Sequence, residues 1–235
     1  VPTSASPQSE DFRAEAEHRW PVALGILVAL ALYLLLPSDF DPRVRAAVAG
    51  IALLMFVPLV ILNPRRLARE QRWSRRLSIA VSLVLLVANQ VALVQLIVEM
   101  VTASRGDGPA VLLAAVQVWA TNIAIYAAVY WEMDRGGPVA RRRDARADLP
   151  AADFRFPQDE DHDAIDEVAS GSSQKADWIP AYFDYVYFSA SNSMAFSATD
   201  TMPLSHRAKA LMMLQSLSGF VLLSLVIARS VSLLG

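Results

Sequence analysis

A chain of 235 residues is long enough for one domain with a modest appendage, and 54% of it is apolar with a mean hydropathy of +0.35. A net charge of −2 gives no global pull toward nucleic acid, and the absence of cysteine removes disulfides, thiol catalysis and cysteine-type zinc sites. The apolar residues come in blocks parted by short charged or Pro/Gly-containing stretches, where a soluble helical protein would show amphipathic periodicity. The chain therefore reads as an all-α, polytopic membrane helical bundle whose first partner is the lipid bilayer.

Residues 1–19 form a polar, mildly acidic tail. They lack the basic flank and small-residue cleavage site of a signal peptide, so the apolar block that follows is read as a retained span. Val1 fits either an alternative start codon or a trimmed end. A bilayer core of roughly 30 Å needs about 20 helical residues, and four blocks approach this in residues 20–132: Trp20–Leu36, Val44–Leu62, Leu77–Thr102 and Pro109–Trp131. Pro37, Pro42, Pro64 and Pro109 stand at block edges, where proline starts or ends helices. Pro58 lies inside the second block and predicts a kink, which lipid-embedded helices tolerate.

Residues 133–177 are the long polar segment. It begins basic (Arg135, Arg141, Arg142, Arg143, Arg146), turns acidic (Asp159, Glu160, Asp161, Asp163, Asp166, Glu167), and carries Gly136, Gly137 and Ser170–Ser173 as signs of flexibility. The island Asp153–Pro157 has the apolar residues to dock on the bundle. The acidic run lacks the glycine and terminal glutamate of an EF-hand, so it reads as a solvated loop rather than a calcium site. No metal or cofactor is expected. A fifth span, Ala208–Leu234, closes the chain.

Orientation follows from arginine. The 63–76 linker holds six Arg against one Glu, and the flanks at 135–146 and 206–209 are also basic, while loops 37–43 and 103–108 are nearly neutral. The positive-inside rule puts the amino terminus and residues 133–177 in the cytoplasm and the carboxyl terminus outside. Basic residues are almost all Arg, with Lys only at 175 and 209, which together with the Ala and Val content points to a GC-rich bacterial genome and hence a bacterial inner membrane.

Among span residues, Asn89, Gln90, Gln95 and Glu99 on the third block and Gln117, Thr121 and Asn122 on the fourth fit bonds between helices; an ion or proton path is the other reading. Arg229 fits snorkelling. Trp20, Trp131, Trp178, Tyr182, Tyr185 and Tyr187 fit an interfacial aromatic belt. His18, His162 and His206 stand in polar segments with no ligand spacing and no Ser/His/Asp set, so no enzyme is expected.

Residues 178–205 carry the functional hypothesis. The stretch 179–194 is aromatic but short, and is studded with Asp184, Ser189, Ser191, Asn192 and Ser193. A polar turn at 195–201 and a last helix from near Pro203 would make a re-entrant half-helix and full helix, a layout allowed at membrane depth only where backbone is buried in protein or faces water.

Tyr187-Phe188-Ser189 followed by Asp200-Thr201-Met202-Pro203-Leu204-Ser205 resembles the pore region of two-helix potassium-type channels. In place of the family's Thr-Val-Gly-Tyr-Gly filter stands Ala195-Phe196-Ser197-Ala198-Thr199. Ser197 and Thr199 replace the glycines that permit carbonyls to aim at an ion, which argues against potassium selectivity of the known kind.

The resemblance implies an oligomeric pore admitting monovalent cations, with Phe196, Ser197, Ala198, Thr199 and Asp200 at its narrow part. Asp200 is either the carboxylate of that mouth or the cap of a helix beginning near Met202. The length, four spans, the Phe154/Phe156/Pro157 island and the strings YFDYVYFS and FSATD are also similar to a family of uncharacterised bacterial membrane proteins of about this size, a domain of unknown function. The arginine count places the pore-like loop on the cytoplasmic side, so the pore is inverted or the segment is not a pore. A sixth full span over 180–198 is the remaining topology. The function classes open at this stage are a homo-oligomeric cation-permeable pore and a non-conducting scaffold with a structural hairpin.

Overall fold

The computed structural model describes residues 20–36, 43, 46–47, 49–54, 72–102, 108–160, 163–194 and 200–234. The fold is mostly helical. Its long helices are α1 (Trp20–Leu34), α2 (Arg72–Thr102) and α3 (Gly108–Met133). Short elements follow: α4 (Pro138–Arg143), the two-residue strand β1 (Phe154–Arg155), α5 (Asp166–Ala169) and α6 (Ser173–Ala176). The chain ends on α7 (Tyr182–Met194), the strand β2 (Met202–Pro203) and α8 (His206–Leu234).

Among the described residues three stretches are long and apolar enough to cross a bilayer: Ile79–Thr102, Gly108–Gly136 and His206–Val231, with mean hydropathy 2.3, 1.7 and 2.1. The first block is helical and apolar but shorter, at Pro21–Leu34. Most of the expected second span, Val44–Leu62, lies outside the described residues; 49–54 of it are helical. Large apolar side chains also face outward, with Val101 72% exposed, Val231 65%, Val87 62% and Leu217 58%. An outer surface this apolar suits hydrocarbon and would be a liability in water.

The third helix is the centre of the bundle, with α1, α2, α7 and α8 all packed against it. Its alanines explain how. Ala114, Ala115, Ala127 and Ala128 are 4% exposed or less, and small residues let neighbouring backbones approach without a hydrophobic drive from water. The helix ends at an abrupt turn. Arg135, Gly136 and Gly137 have φ of 48°, 81° and 94°, a run that two glycines make accessible, and Pro138 restarts the chain as α4.

The polar segment 133–177 is expected to be a flexible loop, but its described residues 134–160 and 163–177 fold into a cap at this end of α3. Phe154 and Phe156 dock as the sequence suggested, 0% and 3% exposed. The ring of Phe154 meets Tyr130 and Phe188 at centroid distances of 5.0 Å each, and that of Phe156 meets Tyr185 at 5.3 Å and Trp178 at 5.6 Å. The aromatic-belt expectation fails at several positions for the same reason. Trp131, Tyr182 and Tyr185 are 5% exposed or less because they pack into this junction, whereas Tyr187 is 62% exposed.

Apolar packing divides into two clusters along the bundle. One, toward the cap, includes Ile26, Leu30, Val81, Leu85, Ile125, Tyr130, Phe188 and Met212. The other, toward the far end, includes Tyr33, Leu93, Leu96, Val111, Val118 and Leu222. Between them in chain order, on α2, α3 and α8, fall Asn89 and Gln90, Thr121 and Asn122, and Gln215 and Ser218, so a polar layer separates the two apolar halves.

Candidate functional site

The C-terminal segment is built from α7 and α8, which run side by side in the same direction. Ser189 meets Gln215, Asn192 meets Met212, Gln215 and Ser216, and Ser193 approaches Gly219. Both helices start at the cap. Strand β2 also lies at the cap, where Met202 and Pro203 pair with Arg155 and Phe154.

Two buried carboxylates of the cap hold the two helix starts. Asp134, fully buried, accepts from the Tyr185 hydroxyl of α7 at 2.6 Å, from the backbone N–H groups of Asp153 and Phe154 at 2.8 and 3.3 Å, and from Arg135 at 3.3 Å. Arg135 also pairs with Asp159, whose other oxygen accepts from Ser173 at 2.8 Å. Asp153 accepts from Arg207 Nε at 2.8 Å and from the Ser205 hydroxyl, while its backbone carbonyl accepts from Leu204 N–H at 2.8 Å. Charge-assisted bonds of this kind are the strong ones. Removal of Asp134 would leave the Tyr185 hydroxyl and two backbone N–H groups, all buried, unmatched.

The interior of the segment is also hydrogen-bonded. Gln215, fully buried, accepts from Tyr130 Oη at 2.8 Å and Asn192 Nδ2 at 2.9 Å, and donates to the Ser189 carbonyl and hydroxyl at 3.1 and 2.7 Å. Ser189 in turn donates to the Ile123 carbonyl of α3 at 2.8 Å, and Ser216 to Asn192 Oδ1 at 2.9 Å. One glutamine thus ties three helices. Gly219 sets the closeness of α7 and α8: a Cβ there would fall inside the contact distance of the Ser193 carbonyl.

Of the residues expected to form a pore mouth, Phe196, Ser197, Ala198 and Thr199 lie outside the described residues. Asp200 is exposed, in a bend beside the buried Thr201. It does not cap the last helix, which begins at His206 rather than near Met202; Ser205 is the cap, its hydroxyl accepting from the Ala208 N–H at 3.2 Å. Within the acidic run Asp159 pairs with Arg135, Glu160 with Arg155 and Asp166 with Lys175.

Interhelical bonding holds for Gln90, which donates to Tyr126 Oη at 3.1 Å and accepts from Ser218 at 3.2 Å, and for Gln117, which reaches the Leu35 carbonyl at 3.5 Å. It does not hold for Asn89, whose amide has no hydrogen-bond partner. Sequence reasoning passed over Asp134, Tyr130 and Gln215, which organise the segment, and read Asp153 only as the start of the docking island. The signal available was a polar residue inside an otherwise apolar block, as at Gln215. No protein family, curated protein or solved structure matches the chain.

Proposed function

We propose that this chain is a multi-pass protein of a bacterial inner membrane, with five spans and a re-entrant half-helix at α7, and that its homo-oligomer forms a cation-permeable pore. The observation that carries the reading is the parallel pair α7 and α8, both starting at one cap. A half-helix of 13 residues is about 20 Å long, too short to cross a core of roughly 30 Å. Its polar residues are buried in protein, as membrane-depth backbone outside regular spans requires. The resemblance of Tyr187–Ser205 to channel pore regions supports the same reading, and the exposed Asp200 is the carboxylate left to attract cations at the mouth. The missing filter glycines point to poor discrimination among monovalent cations.

Single-channel recording from the purified protein in planar bilayers tests this. The expected result is a cation-preferring conductance that falls in Asp200→Asn with folding unchanged. A protein that folds, inserts and passes no current over a wide range of voltage and pH refutes the pore.

One observation favours a second reading, a non-conducting scaffold. The polar groups Ser189, Asn192 and Ser216 bond within the chain, as a structural hairpin would have them do. Absence of current together with a stable oligomer would select it.

A further inference from the structure

The polar layer between the two apolar clusters is completed differently on its two sides. On the α7–α8 side the chain satisfies itself: Gln215 uses both amide ends, and Asn192 donates to Gln215 and to the Met212 carbonyl. On the α2–α3 side only Gln90 is satisfied, by Tyr126 and Ser218. Asn89 is 1% exposed, and neither its Oδ1 nor its Nδ2 has a partner; Thr121 Oγ1 and Asn122 Oδ1, on residues 4% and 5% exposed, have none either.

These residues fall at one level. Asn89 sits between Leu86 of the cap-side cluster and Leu93 of the far cluster, and Thr121 and Asn122 between Val118 of the far cluster and Ile125 of the cap-side one. The two helices pack along their length as an antiparallel hairpin.

Buried amides and hydroxyls without partners are expensive anywhere and most of all within hydrocarbon, so a ligand belongs here. The free groups decide its chemistry. They comprise two amide oxygens, one amide NH2 group with two donors, and one hydroxyl that can give or accept, all neutral, so a cation would meet no compensating charge from them and would be repelled by the amide donor. An anion would find only neutral donors beside two amide oxygens that repel it. Water both gives and accepts, and buried water typically satisfies two to four such groups.

We propose that Asn89, Thr121 and Asn122 form a site for ordered water at mid-depth between α2 and α3. This water is internal to one protomer, and the site does not depend on the pore reading.

The chain has four asparagines, at 63, 89, 122 and 192, which makes a direct test practical. Full-length protein labelled with 15N-asparagine in lipid nanodiscs gives four side-chain amide pairs. Ala88–Asn89 is the chain's single Ala–Asn dipeptide, so a carbonyl-labelled alanine assigns Asn89 without mutation. The expected result is magnetisation transfer from water to the Asn89 amide protons and none to those of Asn192, whose donors are engaged inside the protein. A dry Asn89 overturns the proposal. Equal transfer to Asn192 overturns it as well, because it would mean general solvent penetration. A transfer signal lost on adding sodium or potassium chloride would assign the position to an ion and overturn water as the ligand.

Discussion

Gln215 shows how one side chain can fix the relative position of three helices. An amide with both ends bonded inside a protein cannot rotate without breaking several contacts, and its replacement by an apolar residue strands every former partner. Gln215→Leu is therefore expected to cost about 2–4 kcal/mol, because the Tyr130 hydroxyl and the Ser189 carbonyl lose their partner. Tyr130→Phe is expected to cost about 1 kcal/mol, since Gln215 Oε1 keeps Asn192. Thermal unfolding in a mild detergent, followed by tryptophan fluorescence, would rank the two. Equal costs would mean that the network does not act through Gln215. Asp134 is the comparable residue of the cap. Asp134→Ala leaves Arg135, Tyr185 and two backbone donors around a lost charge, and the expected penalty is about 3–5 kcal/mol by the same assay.

Glycines give a cleaner test of how α7 sits on α8. At Gly219 a methyl group would press on the Ser193 carbonyl, whereas at Gly50 it would meet nothing within 4 Å. Gly50→Ala should be neutral or stabilising by about 0.5–1 kcal/mol through helix propensity. Gly219→Ala should destabilise despite the same gain, as a lower midpoint of unfolding would report. A stabilised Gly219→Ala would show that α7 does not lie where described. Much at this scale was legible beforehand. The apolar blocks located α1, α2, α3 and α8 to within a few residues, and the Phe154–Phe156 island docks as its composition suggested. The rest was hidden for physical reasons. A hydroxyl cap such as Ser205 is one serine among many until the helix it starts is known. The Asp134–Tyr185 and Asp153–Arg207 bonds join residues 51 and 54 positions apart, a separation at which no local pattern operates. The tyrosines read as an interfacial belt have the same composition whether they face lipid headgroups or a protein junction, and only packing distinguishes the two.

At the scale of the whole molecule the orientation and the cap make a joint expectation. Ser170 is exposed on the cap and Ser172 is buried, so a cysteine at Ser170 is the better reporter in this cysteine-free chain. An impermeant thiol reagent applied to intact cells is expected to spare a cysteine at Ser170 and to label one at Gly235. Labelling at Ser170 from outside would reverse the orientation. The seating of α7 and α8 also bears on how the protein is made. The cap's acids and Phe154 precede the helices they receive, so by the time residues 178–235 leave the ribosome their berth on α3 has already been synthesised. Covalent continuity across residue 177 is then dispensable in principle. Two co-expressed pieces, 1–177 and 178–235, should find each other in the membrane and co-purify, with Asp153→Ala in the first piece weakening their recovery.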